Sequence, residues 1–215
     1  MKSVFFQKEN DCDIGYVVFL PENYEKGKKY PMILVLHGAG ERGNGKDELK
    51  NALSIGIGRY ISDGKLDIEA IVLCPQCPKE RVWNQFVFDI KRLTDKVANE
   101  YGADEKRISV TGMSMGGFGT WEMGLTFPDS FSALAPICGG GMAWRTGALK
   151  GKPIWAFHGD ADTVVDISNS YEMVKKSKEA GAEIKYTVFE GVAHNAWDPA
   201  YLTTDVINWL IRKER

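Results

Sequence analysis

Residues 107–117 read Arg-Ile-Ser-Val-Thr-Gly-Met-Ser-Met-Gly-Gly, and this stretch decides the fold. Ile108 to Thr111 is a β-branched run of strand type. Gly112 to Gly116 follows as G-x-S-x-G. Phe118 to Leu125 can then form a helix. Strand, tight turn and helix are the setting in which a serine stands exposed at a strand tip, a nucleophile elbow. Gly112 and Gly116 remove side chains that would collide where the turn approaches its neighbours. Taken alone, the pentapeptide is also compatible with a Gly-rich turn holding an ordinary serine. Three other segments decide between the two readings.

Upstream lies Pro31-Met-Ile-Leu-Val-Leu-His-Gly-Ala-Gly40. A run apolar at every position suits a parallel strand covered on both faces. It ends in His37-Gly38-Ala39-Gly40. Acyl transfer needs two backbone N–H groups aimed at a developing oxyanion. Met115, after the serine, offers one, and Ala39 or Gly40 offers the other. Gly38 and Gly40 are expected to adopt the unusual dihedrals that turn these amides inward.

Downstream, Pro153 to Phe157 is a second apolar strand ending in His158-Gly-Asp-Ala-Asp162. Asp160 and Asp162 are rivals for a carboxylate that orients a histidine. Asp162 is favoured because it lies further along the loop, which Val164-Val165 would pack onto the body. Asp160 suits a turn brace. A last strand, Tyr186 to Phe189, leads to His194 in a polar loop. The chain holds three histidines. His37 and His158 each sit at a strand end before Gly and read as structural. His194 is left as the natural general base.

Leu36-His-Gly-Ala-Gly-Glu-Arg-Gly43, Cys74-Pro-Gln-Cys-Pro78 and Gly112-Met-Ser-Met-Gly-Gly117 carry a resemblance. The chain resembles α/β-hydrolases of the small carboxylesterase type. These include phospholipase/carboxylesterases, acyl-protein thioesterases and dienelactone-hydrolase-like proteins. A narrower similar set is labelled predicted peptidases or esterases, some acting on esters of plant polysaccharides. The likeness runs from about residue 16 to the C-terminus, and the order Ser114, Asp162, His194 matches the superfamily. It implies a mostly parallel sheet with helices on both faces. It also implies Ser114 as nucleophile, Asp162 as acid, His194 as base, and Ala39 and Met115 as oxyanion amides. No metal or organic cofactor is expected.

The remaining strands are expected at Tyr16–Leu20 and 70–73, with helices at Lys46–Tyr60, Asn84–Tyr101 and Pro199–Arg212. This alternation predicts one α/β domain over residues 1–215. Only 139–152 separates a strand expected at 132–137 from the next, so no lid domain is expected. Glu41, Arg42, Trp83 and Trp197 are candidates for the substrate rim, where aromatics can stack on a sugar or phenolic acyl group. Glu41 and Arg42 are alternatively a pair bracing their loop. Trp144 on the crossover reads as packing.

At 215 residues, 44% hydrophobic and 26% charged, the composition is that of an ordinary globular protein. A formal charge of −2 gives no case for nucleic acid or anionic membrane. No apolar run approaches the ~20 residues of a membrane span. Met1 to Asn10 is too short in its apolar part for a signal peptide. Cytoplasmic residence follows as the default, with secretion open should a leader have been removed. Cys74 and Cys77 form a C-x-x-C, but no second pair of zinc ligands accompanies it. Nor does it open a helix, as a thioredoxin-like site would. The expected partner is a small-molecule or polysaccharide-linked ester. Nothing in the sequence fixes an oligomeric state. Thioesterase or lysophospholipase, serine peptidase and a non-catalytic binding role are the competing functions.

Overall fold

Pro31 to Leu36 is buried at every position, and side chains alternate across the sheet along it. Met32, Leu34 and Leu36 enter one core. Ile33 and Val35 enter the other. A strand that buries both faces has to be covered by helices on both, and this architecture follows from it. The computed structural model describes residues 1–7 and 14–215.

The strands are β1 (Lys2–Phe6), β2 (Tyr16–Leu20), β3 (Tyr30–Leu36), β4 (Ile71–Pro75), β5 (Ala103–Met113), β6 (Leu134–Ile137), β7 (Pro153–Gly159) and β8 (Glu183–Phe189). The helices are α1 (Gly56–Ser62), α2 (Val87–Tyr101), α3 (Met115–Thr126), α4 (Ser168–Glu179), α5 (Trp197–Thr203) and α6 (Val206–Arg212). One eight-stranded sheet runs β1-β2-β4-β3-β5-β6-β7-β8. The first two strands are antiparallel to their neighbours. All later pairs are parallel. One face packs on α2, α3 and α4 through Ile90, Leu93, Trp121 and Met173. The other packs on α1, α5 and α6 through Ile57, Tyr201 and Leu210. Full burial of one such side chain stabilises the fold by about 1.5–3 kcal/mol.

This is the α/β-hydrolase fold. The chain leaves β3 toward β4 on one side and returns to β5 on the other, so the switch point opens between β3 and β5. Crevices at the carboxyl ends of strands beside a switch point are where this architecture binds ligands. The His37–Gly40 turn follows β3 and Ser114 follows β5, so both stand there. Between β6 and β7 lies only a 3₁₀ segment, Ala143–Leu149, with no lid.

Several expectations change. The helix expected over 46–60 is instead a 3₁₀ turn, Leu49–Leu53, followed by α1. Ile55 is extended and Gly56 takes φ +64. That positive φ, which glycine adopts without strain, ends any continuous helix at this point. The final helix is likewise two, parted at Thr204–Asp205, where the Thr204 backbone is extended. Lys2–Phe6, read only as too short for a leader, is an edge strand. Cys12 lies outside the described residues. No helix among the described residues is long and apolar enough to cross a membrane.

Candidate active site

Ser114 is the hinge between β5 and α3, with φ 54 and ψ −120. A non-glycine residue there stores about 1–3 kcal/mol of strain, which the surrounding packing must hold. Gly116 supplies part of that hold. A Cβ on it would lie 1.9 Å from the Leu36 carbonyl oxygen, so only glycine lets α3 press against β3.

The structure brings Ser114, His194 and Asp162 into one line. His194 Nε2 lies 2.8 Å from Ser114 Oγ. His194 Nδ1 lies 2.7 Å from Asp162 Oδ2. A carboxylate only accepts, so Nδ1 donates, and the bare Nε2 accepts from the serine hydroxyl. That tautomer is the one that can take the serine proton. The Asp162 side chain is fully buried, whereas that of His194 is 20% exposed. Burial pushes the Asp162 carboxyl up, but the His194 bond and the Val165 and Val164 amides outweigh it and hold the group below its ordinary value. Those amides donate to Oδ1 at 3.0 and 2.9 Å.

Backbone, not apolar side chains, therefore secures this loop. Val164 is 70% exposed, contrary to the expected packing of Val164-Val165. Asp160 braces the turn as expected, accepting from Gly191 N at 2.7 Å. Helix α5, which follows the loop carrying His194, is tied to α1, where the Tyr60 hydroxyl donates to Asp198. The Trp197 ring meets the His194 ring edge-on, with centroids 5.4 Å apart.

The turn after β3, which carries the candidate oxyanion residue Ala39, is held from beneath. His37 Nε2 accepts the Cys77 amide at 2.9 Å, and its Nδ1 donates to the Gly38 carbonyl at 2.6 Å. Burial lowers the His37 pKa from 6.5 to about 4, so the ring is neutral. Ala39 opens a 3₁₀ turn and Met115 opens α3. First-turn N–H groups have no partner within their own helix, which leaves them to face a ligand. Gly38 and Gly40 do not take the expected unusual dihedrals. Gly38 is extended, with φ −76 and ψ −175, and Gly40 is absent from the positive-φ set. What Gly38 provides is room, since a Cβ there would sit 3.0 Å from Glu41 Oε2.

The rim candidates separate. Trp83 is 1% exposed and is not on the rim; its indole N–H donates to the His37 carbonyl at 2.9 Å. Glu41 is buried, and desolvation raises its carboxyl pKa. Glu41 and Arg42 do not pair. Arg42 Nε donates to the Ala39 carbonyl at 2.7 Å and its Nη1 to Arg81 O at 3.3 Å. Arg42 does line a groove of about 410 Å³ with Ala39, Met115, Val82, Asn84 and Phe118. Both candidate oxyanion residues thus border one groove. Trp197 lines a second groove of about 430 Å³ with Tyr60, Arg59 and Asn195. Trp144 is 80% exposed rather than packed.

Sequence reasoning passed over Phe118, one helical turn past the serine, and read His158, four residues before Asp162, as structural only. Cys74 and Cys77 are buried free thiols in separate cores, each pushed up to about 12 by burial. Cys138, His158 and Asp162 bring donor atoms within 4.8 Å of one another. The His158 and Asp162 atoms are engaged in hydrogen bonds within the protein. The Cys138 thiol is pushed up to about 12 by burial and the Asp162 charge. Its Sγ donates to the His194 carbonyl at 3.7 Å.

An α/β-hydrolase fold with a serine elbow at its switch point defines the class. The chain belongs to the Esterase family, whose model matches residues 8–183. A solved thermostable esterase is 32% identical, with TM-score 0.84, covering 100% of this chain and 63% of that one. A solved ferulic acid esterase shares the fold at 19% identity and TM-score 0.71, with 98% of each chain covered. The bifunctional acetylxylan esterase/xylanase XynS20E of Neocallimastix patriciarum is 27% identical over 90 residues, 42% of this chain and 13% of that protein. The chain spans only 12–23% of the length of the curated relatives it matches.

Proposed function

We propose that this protein is a serine carboxylesterase working through an acyl-enzyme on Ser114, with residues 1–215 as one catalytic domain. The observation that carries the reading is the unbroken relay from Ser114 Oγ through His194 to the buried Asp162, at 2.8 and 2.7 Å. His194 takes the hydroxyl proton as Ser114 Oγ attacks the ester carbonyl carbon. The negative charge that develops on the carbonyl oxygen is met by the amides of Met115 and Ala39. His194 then gives the proton to the departing alcohol oxygen, and the acyl group stays on Ser114. Water repeats the sequence, freeing the acid and restoring the serine. Asp162 keeps the imidazole in its working tautomer and stays ionised.

The acyl group is assigned to the groove of Ala39, Met115, Phe118, Val82, Asn84 and Arg42. Its mostly apolar walls and open mouth suit a short or aromatic acyl group on a bulky alcohol. The acetylxylan esterase/xylanase relative supports a carbohydrate-linked ester.

The test is hydrolysis of p-nitrophenyl esters from acetate to palmitate, with methyl ferulate and acetylated xylan alongside and Ser114→Ala as control. Activity on short or feruloyl esters that vanishes in the variant is expected. Activity on long chains alone moves the assignment to lipid or thioester hydrolysis. Ester hydrolysis that survives in Ser114→Ala refutes the nucleophile.

A further inference from the structure

Asp162 holds a second imidazole. Its Oδ2 faces His158 Nε2 at 3.2 Å, and neither side chain is exposed. His158 reads from the sequence as a turn residue only, yet this ring is tied at both nitrogens. Nε2 also points at the Val165 carbonyl, 2.9 Å away. Nδ1 lies 2.7 Å from Ser170 Oγ. Ser170 Oγ in turn lies 2.7 Å from the Gly139 carbonyl oxygen.

The protons can be placed by elimination. A carbonyl only accepts, so the Ser170 hydroxyl donates to Gly139. Its single proton is then used, and Nδ1 of His158 must donate to Ser170 Oγ. Val165 O also only accepts, so Nε2 must donate to it, with Asp162 Oδ2 3.2 Å from the same nitrogen. A neutral imidazole has one N–H, and an imidazolium has two. We propose that His158 is an imidazolium ion-paired with Asp162 across 3.2 Å, a positioning residue that steadies the carboxylate orienting His194 and offsets part of its charge.

The surroundings agree. The charged and titratable groups near the ring are Asp162 and Asp166 from the loop after β7 and Cys138 from the end of β6. His194 lies across the shared carboxylate. α4 contributes Ser170 but no charge at the ring. A buried cation here has a carboxylate partner and no competing cation in contact, as a buried charge requires.

The inference rests on the reading of Asp162 and His194 as acid and base, and its tests separate from it. In nitrogen-15 spectra of the histidine side chains near neutral pH, both ring nitrogens of His158 are expected to carry protons. Assignment comes from the signals missing in His158→Gln. A ring nitrogen without a proton overturns the imidazolium, whatever the activity. The second test is the pH profile of kcat/KM for His158→Gln. With the neighbouring positive charge gone, Asp162 stabilises protonated His194 more strongly, and the acid limb is expected to move up by about 1 pH unit. An acid limb in its original place, even with slower turnover, overturns the electrostatic role. Should the variant not fold, the wild-type spectrum decides alone. Loss of Ser114-dependent hydrolysis in the wild type would sink the catalytic reading without touching the spectrum.

Discussion

His37 makes the fold sensitive to acid, and the size of the effect can be worked from its burial. Its pKa is lowered from 6.5 to about 4 by desolvation, which outweighs its bond to the Gly38 carbonyl. Above 6.5 the folded and unfolded chains both keep the ring neutral. Between 6.5 and 4 the unfolded chain takes up a proton that the folded chain refuses, so stability falls as pH falls. Below 4 both states are protonated and this residue costs nothing further. The window spans about 2.5 pH units at ~1.4 kcal/mol each, or about 3 kcal/mol. The assay is urea unfolding of wild type and His37→Gln at a series of pH values across this window. Glutamine retains an acceptor for the Cys77 amide, and the variant's constant cost, about 1–2 kcal/mol for one lost bond, cancels from the slope. The wild-type curve is expected to fall more steeply, by up to ~1.4 kcal/mol per pH unit. Parallel curves through the window would refute the reasoning.

Three further outcomes are expected. Asp162→Asn loses the acceptor for His194 Nδ1 and is expected to lower kcat about a thousand- to ten-thousand-fold, with circular dichroism unchanged. Gly116→Ala puts a carbon into the Leu36 carbonyl, and a loss of about 3 kcal/mol or more is expected in denaturant titration; a variant as stable as wild type would show that α3 can move aside. Trp83→Ala empties a buried site and is expected to cost about 3–5 kcal/mol with little change in KM when folded; a raised KM at full stability would return Trp83 to the rim.

Much of this was legible in the sequence, for local reasons. Continuous apolar runs gave the inner strands because both faces of the sheet are covered. Ser114, Asp162 and His194 stand out because each follows a strand whose end is marked by Gly or by a polar loop. What stayed hidden depends on distant partners. The break at Gly56, where φ is +64, sits against Met113, far along the chain. Trp83 looks like a rim aromatic until its N–H is seen to reach His37, 46 residues back along the chain. His158 shows its second bond only once β7 and α4 are packed together. The edge strand β1 has four exposed residues of five and carries no burial pattern to read.

Backbone meets backbone at the elbow, and this divides the molecule into a part that resists change and a part open to it. Carbons added at Gly116 and Gly117 would strike main-chain oxygens of β3 and β6 at 1.9 and 2.3 Å. The place of the serine is therefore inherited whole, and no neighbouring side chain can tune it. The proposed acyl groove is walled instead by side chains of Arg42, Val82, Asn84 and Phe118, drawn from separate segments. A combinatorial library confined to those four positions would vary which acid is released while the chemistry that releases it is carried over intact.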